Sequence, residues 1–393
     1  MKLCRSRRAV VAAAATATIV GGAVACGGES QPTASQSAAS QSADAQSADA
    51  QKKISVRAGE SIQSAVDRAE PGQVIDIAAG TYRESVQIST PRLTLRGAGA
   101  GTVISPSAKG DENACAKAGK GICVSGTAQQ KPSDVTLESL TVAGFKKAGI
   151  HATGADGLQV LRVTARDNKV QGILVEKSVR TVLRDNTARN NADSGIFLAN
   201  SMDTEGGALD TKGAVIEGNK LSENRIGVGL RRVRGVKVEN NQITGNCGGV
   251  FVVGDEGVPR GGALTVTHNT VTGNNKYCAA SARLPFIQGT GILLTGVEKT
   301  VVTNNDVRDN SGKSPMSGGI VLFGSVVGTS NSDNSIRDNV ARGNKPADLA
   351  NRDLKGKGNT FVNNTMETTE PKQLPNSSPS VAPSTAPSVA PSS

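Results

Sequence analysis

The stretch VKVENNQITGNCGGVFVVG, residues 236–254, sets Asn241 and Asn246 five residues apart among β-branched residues and follows them with a glycine pair. The pattern recurs. VTLESLTVAGF from Val135, LQVLRVTARDN from Leu158, TVLRDNTARNN from Thr181, AVIEGNKLSEN from Ala214, LTVTHNTVTGN from Leu264, TVVTNNDVRDN from Thr300 and NSIRDNVARGN from Asn334 align with it. One column then reads Leu140, Val163, Asn186, Asn219, Asn241, Asn269, Asn305 and Asn339. The second reads Phe145, Asn168, Asn191, Asn224, Asn246, Asn274, Asn310 and Asn344. A chain built from such units buries its apolar residues only by stacking one unit on the next.

Short alternating runs lie between the columns, and GI-x-L or its like follows at Gly172, Gly195, Gly227, Gly249, Gly291 and Gly319. Each repeat therefore supplies three short strands. The shortest intervals, 22 or 23 residues, suit one turn of a three-sided coil whose turns stack about 4.8 Å apart by parallel pairing. Asparagines at the bends then satisfy bent backbone and bond the equivalent amide one coil away, forming two internal ladders. At the start, Ile62, Val66 and Ala69 share a helical face that Pro71-Gly72 ends, and Val74, Ile75 and Ile77 begin a strand. A helix laid there covers an open sheet end.

GESIQSAVDRAEPGQVIDIAAGTYRESVQI, with the repeated N-x-V/I-x-x-N and GI-x-L patterns, resembles the right-handed parallel β-helix (pectate-lyase-like) superfamily. That group includes pectate lyases, polygalacturonases, mannuronan epimerases and periplasmic helpers of copper-enzyme maturation. The resemblance covers residues 54–365 and implies an all-β, right-handed parallel β-helix of three-strand coils with a short N-terminal capping helix. For chemistry it implies less, because one fold carries many activities.

The ends differ in composition. MKLCRSRRAVVAAAATATIVGGAVAC has a basic segment, an apolar run and small residues before Cys26, and reads as a signal peptide over residues 1–25. Ala23-Val24-Ala25-Cys26 resembles a bacterial lipobox, with lipid on Cys26 as the membrane anchor; a plain secretory signal cut near Ala25 is the other reading. Residues 26–53, rich in Ser, Ala and Gln, read as a disordered tether, and 366–393, rich in Pro, Ser and Ala, as a disordered tail. The expected setting is the outer face of the cell membrane or the cell surface. Four cysteines remain in the exported portion, an even number. Cys115 and Cys123 bracket a short loop and are expected to pair; Cys247 and Cys278 follow ladder asparagines on adjacent coils and are expected to pair also.

Lys and Arg number 44 against 34 for Asp and Glu, a formal charge of +10, which favours a polyanionic partner. Aromatic residues are 2% of the chain, with no tryptophan, so stacking platforms for nucleic acid are missing and none is expected as a partner. Loops longer than the basic repeat wall one face, that of the GI-x-L strands: NSMDTEGGALDTKG, GDEGVPRGG and GSVVGTSNSD leave its strands, while KYCAASARLPFIQGTG and SGKSPMSGG enter them. A groove belongs on that face. Alternation points Ile173, Ile196, Val228, Val250, Ile292 and Ile320 inward, so His151, Leu174, Phe197, Gly229, Phe251, Leu293 and Val321 point out, with Glu176 and Arg231 in the next outward row. Glu176, Phe197, Arg231, Arg232 and Phe251 are candidate binding residues for an extended, acidic polysaccharide or wall polymer. Phe197 and Phe251 either stack on sugar rings or lie beneath loops.

Arg231 stands between loops bearing Asp203, Glu205, Asp210, Asp255 and Glu256. In lyases of the superfamily an arginine abstracts the proton beside a uronate carboxylate and acidic side chains hold calcium. The resemblance thus implies Arg231 as a catalytic base, Asp203, Asp255 and Glu256 as acidic partners, and Ca²⁺ as a metal only for a lyase; no other cofactor is required. Asp203 with Asp255 would serve hydrolysis if they faced each other across a sugar. Polygalacturonase-like paired aspartates with Gly-His-Gly, and the Asp-Pro-His motif of epimerases, are absent. His151 and His268 each stand alone in sequence, and a lone surface histidine usually has no catalytic task. The reading is a monomeric, surface-anchored polymer-binding protein, with a lyase or hydrolase, or a scaffold for an exported partner, as rivals.

Overall fold

The amides stack as columns. In the computed structural model, which describes residues 53–108, 113–126, 131–201, 206–281 and 284–374, Asn186, Asn219, Asn241, Asn269, Asn305 and Asn339 are buried. Each Nδ2 donates to the next Oδ1 at 2.9–3.0 Å, and the column runs on to Asn364. A second column joins Asn168, Asn191, Asn224, Asn246, Asn274, Asn310 and Asn344 at 2.9–3.1 Å and ends on the carboxylate of Asp348. Asn241 shows how complete the bonding is. Its Nδ2 also donates to Ile216 O at 2.9 Å, while its Oδ1 accepts the backbone N–H of Asn219 at 2.9 Å. Amides so satisfied can stay inside without the desolvation cost of an unpaired polar group.

The residue ahead of each such bend takes left-handed backbone, as at Asp185 (φ 57°), Asn240 (56°) and His268 (54°), which is why Asp, Asn and Gly recur there. Gly249 answers for the second glycine of the pair. A Cβ on it would lie 2.5 Å from Gly291 O and 2.6 Å from a methyl of Val271. At the last corner two further pairs stack across a single coil step, Asn334 on Asn359 and Asn331 on Asp353.

The three strands of each coil belong to three parallel sheets of 12, 10 and 11 strands. The first holds Val182–Arg184 and Val233–Glu239, the second Thr187–Arg189 and Gln242–Thr244. The third holds the GI-x-L strands Ile122–Ser125, Ile150–Thr153, Ile173–Glu176, Ser194–Ala199, Ile226–Arg231, Gly248–Val253, Thr290–Thr295, Gly318–Phe323 and Leu349–Asn351. Its inward column Ile173, Ile196, Val228, Val250, Ile292 and Ile320 is in register and fully buried. One aliphatic core fills the bore.

Helix α1 (Ile62–Asp67) closes the first coil with Ile62, Ala65 and Val66. Its first N–H groups are taken by Ser61 and by the carboxylate of Glu84, which accepts from Ile62 and Gln63 at 2.8 and 2.9 Å. Helix α2 (Ala114–Lys117) sits on an inserted loop. At the other end the coil continues past Thr365: Thr369–Glu370 pairs with Leu349 and Ala350, and Leu374 is buried. Both expected disulfides form, Cys115–Cys123 and Cys247–Cys278. The segments expected as signal peptide and tether lie outside the described residues up to residue 52, with Cys26 among them, as do the end of the tail, Asp203 and Glu205.

Candidate functional site

Parallel register fixes two outward rows on the third sheet. The first runs Cys123, His151, Leu174, Phe197, Gly229, Phe251, Leu293, Val321 and Ala350; the second runs Ser125, Thr153, Glu176, Ala199, Arg231, Val253, Thr295 and Phe323. The two ends of this face differ. Over its later coils, Phe251, Leu293, Val321 and Ala350 are buried in a satellite cluster with Ile226, Ile287 and Met316. The cover is a hairpin: Cys278 and Ile287 bridge antiparallel, Cys278 is tied to Cys247, and the guanidinium of Arg225 donates to Ala279 O at 2.7 Å. Phe251, 2% exposed, is therefore core beneath a loop. Phe197 remains half-buried, its ring lying where a side chain at Gly229 would be, 2.5 Å from the position of a Cβ there.

Over the earlier coils Leu174 and Ala199 are covered while His151, Thr153, Glu176 and Phe197 are half-buried, and here the polar side chains converge. His151 Nδ1 lies 2.7 Å from Lys120 Nζ, and its Nε2 lies 2.8 Å from Glu176 Oε2 and 3.0 Å from Thr153 Oγ1. An ammonium on Lys120 can only donate, so Nδ1 accepts and the ring proton sits on Nε2, facing Glu176. The His151 and Glu176 side chains are 13% and 16% exposed, enough for a ligand to reach them. Lys120 comes from the loop closed by Cys115–Cys123, and Cys123 is the strand neighbour of His151. The disulfide and the register thus bring the ammonium and the imidazole together. Sequence reading took Glu176 for a binding residue and His151 for a solitary one. The available signal was the repeat alignment, which sets Thr153 and Glu176 in one row.

Lysines line the edge by which these strands begin. Lys117 ends α2, Lys146 and Lys147 occupy the turn before Ile150–Thr153, and Lys169 precedes Ile173–Glu176. The turns are pinned by Lys147 N–H to Gly119 O and Lys169 N–H to Phe145 O, both 2.8 Å. All four side chains are exposed, and none meets a carboxylate among the described residues. Such a row holds a positive potential beside this face. A cleft of about 740 Å³, bounded by α1 and lined by Glu60, Gln63, Tyr82, Arg83, Glu84 and Asn113, lies at the start of the same edge.

Arg231 takes its place in the outward row two strands from Glu176, about 9.6 Å away, with the small Ala199 between them. Arg232 turns away. Its backbone is left-handed (φ 53°), and its guanidinium is buried against the carboxylate of Asp255, which also accepts from Gly257 N–H at 3.0 Å. Both are thereby committed to holding the loop after Gly248–Val253. Glu256 is exposed on that loop, and Asp210 accepts the N–H of Lys212 at 2.9 Å in a turn. Among the described residues no three His, Cys, Asp or Glu side chains converge as a metal set.

Fold and site define a right-handed parallel β-helix protein with one face edged by lysines. Residues 107–259 match the family model described as right handed beta helix region, and residues 204–371 match that of the periplasmic copper-binding protein NosD. The chain folds as a right-handed parallel β-helix, and the two family models match overlapping parts of it. Three solved structures share the fold. The mannuronan C-5 epimerase AlgE4 A-module of Azotobacter vinelandii has 16% identity and a TM-score of 0.53, covering 81% of this chain and 95% of its own. DFA-IIIase from Arthrobacter chlorophenolicus A6, solved without its lid and in complex with GF2, has 15% identity and a TM-score of 0.55, covering 80% and 89%. The alginate lyase of Paenibacillus sp. str. FPU-7 has 19% identity and a TM-score of 0.50, covering 76% and 97%. No curated protein matches. At these identities the likeness is one of fold. Copper, named in the second family description, has no fitting donor set among the described residues: all four described cysteines are in disulfides, and the two histidines sit on different sides of the coil.

Proposed function

We propose that this protein binds an extended acidic polysaccharide along the early coils of the third sheet and moves a proton on it at His151. One observation carries the reading: the partly exposed Lys120–His151–Glu176 group stands on a sheet face edged by lysines that have no carboxylate partner among the described residues. The lysines and Arg231 would hold sugar carboxylates in line, and Phe197 would offer a ring face to the next sugar. Removing the proton beside a uronate carboxylate needs a base within reach and a cation near the carboxylate to stabilise the charge that develops. His151 would supply the first through the Nδ1 lone pair, freed when the Lys120 ammonium turns to the sugar carboxylate, and the basic edge with Lys120 would supply the second. Glu176 is a positioning residue, since it fixes the imidazole without facing the floor's far side. Collapse of that intermediate either expels the glycosidic oxygen, leaving an unsaturated end, or returns a proton to the opposite face of the ring. The epimerase and alginate-lyase names of two structural neighbours support this class of chemistry.

The test pairs two readouts on uronate polymers: retention on the immobilised polymer, and ultraviolet absorbance or proton spectra for unsaturated or inverted residues. Wild-type protein is expected to be retained on polyuronate but not on a neutral glucan. His151→Ala is expected to keep retention while product formation falls by about 10²–10⁴-fold. A wild-type chain that ignores the polymer would refute the reading; retention without product would reduce it to a binding protein.

A further inference from the structure

Six large hydrophobic side chains stand exposed among the described residues, and four of them share one edge of the molecule. Val258 (85% exposed), Val326 (78%), Val327 (54%) and Leu354 (79%) ride on loops that follow Gly248–Val253, Gly318–Phe323 and Leu349–Asn351. These strands lie within four successive positions of the third sheet, about 14 Å from first to last. This is the edge opposite the lysines, and toward the other end of the coil.

The loops that carry the tips are cross-linked by hydrogen bonds. Arg260, two residues past Val258, donates to Gly296 O at 3.3 Å, to Ser330 O, and to Ser332 Oγ at 3.2 Å, joining its loop to the one bearing Val326 and Val327. That loop is joined in turn to Leu354's: Asn331 donates through N and Nδ2 to Asp353 at 2.6 and 2.9 Å, and Asp353 O accepts from Gly356 N–H at 3.0 Å. Polar backbone could have turned these side chains under; instead it braces three apolar points in one row. Lys299, Lys355 and Lys357 stand exposed among them without a carboxylate partner, against Glu256 and Asp333 as exposed acids.

We propose that this edge docks on an anionic lipid surface, with Val258, Val326, Val327 and Leu354 entering the headgroup boundary and the lysines meeting lipid phosphates. Isolated aliphatic points on convex loops, separated by Gly, Ser and Pro and flanked by cations, suit shallow insertion into a bilayer. A protein partner asks for a contiguous patch with aromatic or arginine anchors, which the edge lacks. The proposal does not depend on the groove reading or on an acyl group at Cys26.

Vesicle flotation of the exported chain carrying Cys26→Ser, so that no lipid is attached, tests it. The chain is expected to float with phosphatidylglycerol-containing vesicles, less with phosphatidylcholine alone, and less again as salt rises. Val326→Asp with Leu354→Asp should lower the partition by at least about tenfold, at an unchanged thermal midpoint and unchanged polyuronate retention. No flotation, or equal flotation of the double variant, would overturn it. So would a self-association that the same substitutions abolish in a chain that never binds vesicles.

Discussion

Asp193 shows what a charge costs beside the amide columns. Its carboxyl is pushed above the ordinary range by burial, which the nearby Arg225 and a 3.2 Å bond from Gln171 only partly offset. The folded state therefore prefers the protonated acid more than the unfolded chain does. Its contribution is fully present below the unfolded carboxylate range and is lost as pH rises through the folded value. Asp193→Asn keeps an acceptor for Gln171 and removes the ionisation. The variant is expected to melt higher than wild type at pH 7, with the gap closing near pH 3, as followed by circular dichroism; an equal gap at both would refute the assignment. Residues of this kind divide sharply in legibility. The ladder asparagines were readable because a bend that recurs every coil leaves a column in the sequence. His151 was not, because its partner Lys120 is 31 residues away on a loop whose course depends on a disulfide. Arg232 was misleading for a local reason: strand alternation stops there, and the left-handed backbone sends the side chain to Asp255. The third-corner amides spanned too few coils to make a column.

At the scale of elements, the inserted loops could be located from repeat intervals, but their courses could not. The segment around Cys278 reads as a wall and folds as a lid over Phe251, Leu293 and Val321. Its apolar residues, Leu284 and Ile287, are what make it fold inward. Cys247→Ser with Cys278→Ser should free this hairpin without unravelling the coil, since Arg225 and the surrounding ladders remain. Hydrogen exchange is expected to quicken over residues 276–281 and 284–288 while third-sheet core amides stay protected, with a stability loss of about 2–4 kcal/mol. Unchanged exchange in the hairpin would mean that apolar packing alone holds it down.

Across the whole molecule, the coil acts as a ruler whose faces are assigned by what is added to them. Early coils of the third sheet carry the lysine edge and the histidine group. Later coils carry a closed apolar cover and an edge of aliphatic tips. The general architecture was legible because stacking one repeat on the next is the way such units bury their aliphatic residues. The partition of the face was less so, since it arises from contacts between loops far apart in sequence. Hydrogen exchange of the exported protein, with and without saturating polyuronate, tests this partition most directly. The account predicts new protection confined to the loop 115–120, the turn at Lys146 and Lys147, and the strands Ile150–Thr153, Ile173–Glu176 and Ser194–Ala199. Protection that falls instead on the first or second sheet, or on the hairpin over Phe251, would contradict it.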